Sequence, residues 1–485
     1  MTTPARSTSR YPSGLITLAL AIVLPLTAHA APPGLESIFP AGGKIGTTFE
    51  INVAGAGLEK DSPGIWCSAP GVTFQPGAKP KTFTVTLAAD AKPGPCLIRL
   101  HTSAGSTPPR IFHIGTLDEF AELEPNDVPS DLKKAEPRAN TTFNGTLAKA
   151  GDIDTYPIRL QKGKTVQIML HGYSLGSPMD PALRLLDSRG IEIASGHDTH
   201  NLDPRIEHTP AQSGTYFVQV LAFAHPPAAD VSLKGSANHI YRLSLAEKAP
   251  AEPPKPEPAQ ITTPVTLRGI LSKPKEEDIF SLQAKKGEEW ALSLLSEHFD
   301  TVLRIDDSTG KTLTQSDDID KDTSNSALRW KVAKDGEVKI IVADRFHGGS
   351  PAHSYELSVQ PTTASITATL DTHAYLIEPG KSTDIKLAIK ITGTPTTKLT
   401  AQAQQLPPGI TAAPLEIPAK GGELKLTLKA APDALPSQTP IRIEILGTPQ
   451  PTTATYTIPF TEPRGPLLIS QDPQPWLTVT AAKKK

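Results

Sequence analysis

A chain of 485 residues with 35 glycines and 49 prolines is long enough for several domains, and proline at about twice its usual share argues against one large helical core. Its 48 basic and 50 acidic side chains leave a formal net charge of −2, so composition gives no reason to expect nucleic acid or an anionic membrane as a partner. The first 30 residues place Arg6 and Arg10 before the apolar run GLITLALAIVLPLTAHA and end on Ala28, His29 and Ala30. That is the order of a secretory signal peptide, with cleavage expected after Ala30. No later stretch reaches the roughly 20 apolar residues of a membrane-spanning helix. The mature protein is therefore expected outside the cytoplasm: secreted, periplasmic or at the cell surface.

Residues 31–117 read as short alternating strands broken by Gly and Pro: TTFEINVAGAGL, GVTFQPG, KTFTVTL and PCLIRLHTSAG. With Gly42, Gly43 and Gly46 as turn residues, the opening ESIFPAGGKIGTTFEINVAGAGL resembles bacterial immunoglobulin-like domains of the IPT/TIG type. Cys67 and Cys96 are the only cysteines, and export makes a local structural disulfide between them the expectation.

The next two segments repeat each other. NGTLAKAGDIDTYPIRLQKGKTVQIML pairs with RGILSKPKEEDIFSLQAKKGEEWALSLL, so that Gly145, Asp154, Tyr156 and Gly163 fall opposite Gly269, Asp278, Phe280 and Gly287. After each KG an apolar side chain recurs every second residue, Val166, Ile168, Leu170 in one copy and Trp290, Leu292, Leu294 in the other. A period of two with one apolar face marks a half-buried strand. The agreement continues from Asp180 through Gly190 and from Asp300 through Gly310, which predicts a duplicated β-sandwich at 118–247 and 261–360. A proline-rich spacer, 248–260, separates the copies. Residues 361–465 alternate again, as a further immunoglobulin-like sandwich, and 466–485, ending in KKK, read as a solvated tail. The predicted fold class is all-β, four β-sandwich domains in tandem.

The run ELEPNDVPSDLKKAEP, followed by NGTLAKAGDIDTYPI, LGSPMDPALRLLDSRG and SGTYFVQV, resembles the bacterial pre-peptidase C-terminal (PPC) domain, a jelly-roll-like sandwich of secreted proteins. The full layout is similar to that of multidomain secreted proteins of planctomycete and verrucomicrobial type. Some relatives of this domain, including the collagen-binding modules of clostridial collagenases, bind calcium through the acidic segment before the first strand. The resemblance therefore implies a calcium site at Glu122, Glu124, Asn126 and Asp127, with Asp152 or Asp154 from GDID. Carboxylates and an amide carbonyl are the hard oxygen donors that calcium takes. The second copy has EPPKPEPAQ and EEDI at these places, so no equivalent site is expected there.

GYSLG, Gly172 to Gly176, matches the GxSxG of serine hydrolases. A nucleophile elbow needs a strand-to-helix turn, whereas here Pro178 and Pro181 follow and the next segment alternates. The stretch from Gly163 to Asp180 is also four residues longer than Gly287 to Asp300, and GYSLG lies in the surplus. Ser174 thus reads as a loop residue. HDTH, His197 to His200, with His208 nearby, lacks the HExxH spacing of a zinc enzyme. DDIDKDTSN has Thr323 and Arg329 where a calcium loop needs Gly and Glu. Asp180, Asp198, Asp300 and Asp318 recur in both copies and read as backbone-bonding turn residues. Together these readings predict a non-catalytic binding, adhesion or scaffold protein whose ligand is extracellular protein or polysaccharide. The alternatives are an accessory protein of a secreted peptidase, and an esterase or glycosidase using Ser174 or the aspartates.

Overall fold

The computed structural model describes residues 32–482 except 59–62, 133–135, 200–201, 225, 227–231, 249–259, 320–322, 363–364, 393–394, 396, 449–451 and 460–466. The expected signal peptide, nearly all of the expected spacer, His200 and part of the acidic turn DDIDKDTSN fall outside them. The described chain is all-β and forms four β-sandwiches, each with its own apolar core. Alternation decides which side chains fill them. In Thr48–Ala54, Ile51 and Val53 point inward while Glu50 and Asn52 face out. Each such aliphatic side chain, fully buried, contributes about 1.5–3 kcal/mol.

In the first sandwich the sheet Ser37–Phe39, Thr48–Ala54, Thr82–Leu87, Val72–Pro76 faces the sheet Gly42–Lys44, Arg110–Gly115, Gly94–Thr102, Gly64–Cys67. Cys67 and Cys96 lie on neighbouring strands of the latter with sulfurs 3.6 Å apart, unbonded.

The duplication appears as identical strand order. One sheet of the second sandwich runs Asp154–Leu160, Gly214–Phe223, Asp180–Leu186, Glu192–His197, and its counterpart in the third runs Asp278–Ala284, Gly336–Asp344, Thr301–Asp307, Thr312–Ser316. The opposite sheets run Thr141–Thr146, Ile240–Glu247, Val166–His171, Arg205–His208 and Val265–Ile270, Ser354–Pro361, Glu289–Leu295, Ser326–Lys331. Among the described residues only the second sandwich carries a further edge strand, Asp118–Ala121, parallel to Thr141–Thr146. The KG turns work alike in both copies, with Gly163 at φ 76° and Gly287 at φ 92°, where a side chain would be strained.

The C-terminal segment corrects the sequence reading. Of the segment 466–485 expected to be a solvated tail, the described residues 467–482 are built into the fold: Trp476–Val479 is the central strand of a three-stranded sheet, parallel to Ala374–Ile377 and antiparallel to Ser437–Pro440. Leu477 and Val479 enter the core of the fourth sandwich. Trp476 faces the first sandwich instead, against Trp66 (ring centroids 6.1 Å apart) and His101 (4.7 Å). Arg99, fully buried, donates to Asp472 and to the carbonyls of His373 (3.2 Å) and Gln474 (3.3 Å). The chain thus folds back, so that its last sandwich docks on its first.

The second sandwich joins the same junction. Ala41, Leu97, Ile111, Leu175, Ile240 and Ile458, from the first, second and fourth sandwiches, make a small shared core. Arg110 donates to the Leu35 carbonyl (3.0 Å) and across the junction to that of Gly176 (3.1 Å). The third sandwich meets the second through the Arg205–Glu297 ion pair, 3.2 Å.

Candidate functional site

The acidic residues of the second sandwich converge where the segment before Thr141–Thr146 passes the start of Asp154–Leu160. Carboxylate oxygens of Glu124, Asp152 and Asp154 lie within 4.8 Å of one another. Glu122 accepts the Thr146 amide (3.0 Å) and shares a hydrogen bond with Asp154. Asp154 also accepts the Tyr241 hydroxyl, which in turn meets that of Tyr156 at 2.6 Å. Burial, and then the negative charge of Glu122, push the Asp154 carboxyl up to about 9, and burial pushes Glu122 up to about 7. Two carboxyls that share a proton in this way are carboxylates crowded without a counter-charge.

Two further buried residues, Asp152 and Asn126, complete the cluster. Asp152 is almost fully buried; its Oδ2 accepts the Ala148 amide at 2.5 Å, while its Oδ1 has no hydrogen-bond partner and only the Lys149 ammonium 3.7 Å away. In the metal-free site the buried Asn126 amide donates to Asp154 Oδ1 (3.2 Å) and Glu124 Oε2 (3.0 Å), and turned over it would offer a cation its oxygen instead. The donor set of Glu122, Glu124, Asn126, Asp152 and Asp154 fits a hard divalent ion such as calcium. Asp127 is not brought into this group; its carbonyl takes the Thr155 hydroxyl at 2.9 Å, fastening the acidic segment to the sheet.

In the third sandwich Asp278 keeps the tyrosine bond, to Tyr355, while Glu276 closes a turn by accepting Ser272 Oγ (2.9 Å) and the Lys273 amide (2.8 Å). The Asp–Tyr pair is therefore common architecture, and the additional acids are particular to the second sandwich.

Ser174 has a histidine beside it, His171 Nδ1 at 3.1 Å, yet it stands on a short 3-10 turn, Tyr173–Leu175, between antiparallel sheets. Its hydroxyl donates to Asp203 directly, whereas a serine nucleophile needs the imidazole between itself and the carboxylate. Asp203 also accepts the amides of Gly172 (3.1 Å), Tyr173 (2.9 Å) and Ser174 (3.2 Å), so this carboxylate clamps the loop. Ser174 is 8% exposed, and its carbonyl takes the Leu468 amide (3.0 Å) from the C-terminal segment. The four surplus residues of this copy thus build a docking loop. Asp203→Ala should destabilise the protein by roughly 1–3 kcal/mol through its orphaned amides, whereas Ser174→Ala should cost less and leave any turnover unchanged. Thermal melts and a substrate panel check both.

A cleft of about 370 Å³ opens between the first and second sandwiches. Phe39, Pro40, Phe49 and Phe120 supply apolar walls, and the Lys44–Asp118 ion pair, 2.6 Å, crosses its lining. Arg242 fixes the polar side by donating to Glu119 Oε1 (2.7 Å) and Oε2 (2.9 Å) and to Asn144 Oδ1 (2.9 Å). The Arg138 guanidinium stacks 3.3 Å from the centre of the Phe120 ring.

No protein-family model and no curated protein matches the chain. Among solved structures it is similar to the pre-peptidase C-terminal domain of a Bacillus anthracis collagenase, at 17% identity and TM-score 0.18, over 24% of this chain and 100% of that one. It is also similar to the glucan-utilization protein SGBP-B of Bacteroides ovatus, solved with a mixed-linkage heptasaccharide, at 9% identity and TM-score 0.16, over 67% of this chain and 74% of that one. A third is surface layer protein SbsC, domains 1–6, at 10% identity and TM-score 0.16, over 94% and 55%.

Of the remaining residues read from sequence, His197 reaches Asp180, Nε2 to Oδ1 3.1 Å, while His208 packs on Tyr216 with ring centroids 6.2 Å apart. Sequence reasoning missed Asp203, Arg99 and Asp472. For Asp203 a signal existed, in that NLDPR places an acid before proline at a turn opposite the surplus loop. Arg99 sits in alternation with Ile98 and Leu100, which by itself marks a solvent-facing charge.

Proposed function

We propose that the protein is a non-catalytic extracellular binding or scaffold protein that holds an extracellular protein or polysaccharide at the cleft between its first two sandwiches, the second of them set by calcium. The cleft carries this reading. Aromatic rings on its walls suit the apolar face of a sugar ring or a side chain, and the ionic contacts around it hold those walls in place before any ligand arrives. The Asp203 clamp supports the non-catalytic part, since it ties up the one residue that matched a nucleophile motif. Oxidation of Cys67 and Cys96, whose free sulfurs lie 3.6 Å apart, to a disulfide after export belongs to the same proposal, and thiol titration of the exported protein, expected to find none free, checks it.

The test is capture of envelope extracts and a glycan array, with the mature wild type and Phe120→Ala compared in calcium. Truncating a central aromatic contact commonly costs more than 1 kcal/mol, so binding should weaken about tenfold. Retention of full binding by Phe120→Ala would remove the cleft from the account. Calcium-dependent turnover of an ester, glycoside or peptide would overturn the non-catalytic reading.

A further inference from the structure

We propose that Asp180, His197 and Asp198 form a transition-metal site of one imidazole and two carboxylates, separate from the acidic cluster at Glu124. Asp180 opens the strand Asp180–Leu186, and His197 closes the strand paired with it, opposite Ala182. His197 Nε2 lies 3.1 Å from Asp180 Oδ1 and 3.9 Å from Asp198 Oδ1, with all three ligand atoms within 4.8 Å of one another. Ligands that share a zinc-sized ion at its usual bond lengths sit about 3–3.5 Å apart, so closure needs only side-chain rotation. One nitrogen and two carboxylates favour zinc, cobalt or nickel over calcium.

The duplication gives an independent reason to expect a cation here. In the third sandwich the matching acids are Asp300, Asp317 and Asp318, and that copy supplies its own positive charge. Arg345 Nη1 lies 3.2 Å from Asp317 Oδ2 and 3.6 Å from Asp318 Oδ2, and its amide donates to the Asp300 carbonyl at 2.9 Å. In the second sandwich Asp180 pairs opposite Phe223, which therefore stands where Arg345 stands. Its ring meets His197 edge-on, centroids 5.7 Å apart. The second copy has thus kept two carboxylates, exchanged the third for an imidazole and given up the internal cation. Among the described residues no lysine or arginine pairs with Asp180 or Asp198.

The experiment titrates the mature protein with zinc by calorimetry, in calcium sufficient to fill the acidic cluster, and with cobalt by visible absorption. One equivalent should bind in the wild type. His197→Ala should weaken it at least tenfold, and so should Phe223→Arg, which removes no ligand and only restores the charge found in the third sandwich. Circular dichroism confirms that both variants fold. Absence of a wild-type equivalent, or uptake unchanged in either variant, would mean an imidazolium–carboxylate pair only and would overturn the site.

Discussion

Calcium added to the metal-free protein at pH 8 should raise the melting transition of the second sandwich by about 10 °C. A ligand at a hundred times its dissociation constant stabilises by about 2.7 kcal/mol, and a domain of this size converts that into a shift of this order. The pH dependence has a definite sign. Asp154 and Glu122 titrate higher in the fold, at about 9 and about 7, than carboxyls do in an unfolded chain, because burial and mutual repulsion disfavour their charges. The metal-free fold therefore binds more protons than the unfolded chain, and its stability falls as pH rises from about 4 through these values. Calcium bound there would replace the protons, so its benefit should grow over the same interval. Asp152→Asn, which alters the buried oxygen lacking a hydrogen-bond partner, should abolish most of the calcium shift. Calorimetry from pH 5 to 9, with and without calcium, checks this, and a shift that shrinks as pH rises would contradict it.

Asp472→Ala should release the fourth sandwich from the first. The change leaves the Arg99 guanidinium buried without its carboxylate, and breaking a buried pair from one side costs about 3–5 kcal/mol. The double variant Arg99→Met with Asp472→Leu should recover much of that loss, since the cost lies in the unpaired charge. Small-angle scattering should show an expanded Asp472→Ala protein and a compact double variant. Ending the chain after residue 465 should do more, because Trp476–Val479 is then missing from the middle of its sheet. A fourth-sandwich melting transition that survives this truncation would return the segment to the status of a tail.

The strands were legible because each turns one apolar face to a core, and the period of two needs only local sequence. The duplication was legible for the same reason, and strand order confirms it down to the KG turns. The acids of the candidate metal site could be named from a resemblance, but which of them converge could not: Asp127 and Asp152 look alike in sequence, and only the path of the chain separates them. The last strand was illegible because WLTV gains its partners from residues some 40 and 100 positions away, and loop closure over such distances leaves no local mark. Arg99 deceived for a related reason. Its outward face is real, and another sandwich covers it.

The contact between the two outermost sandwiches has a mechanical corollary. If a surface holds the first and a polymer pulls on the fourth, load takes the shortest covalent or non-covalent route, through Arg99, Asp472 and the edge-to-face pair of Trp66 and Trp476. The third sandwich lies off that route, on the longer covalent way round and held to the second by the Arg205–Glu297 ion pair, so it stays slack until the latch yields, and its release would let out stored length all at once.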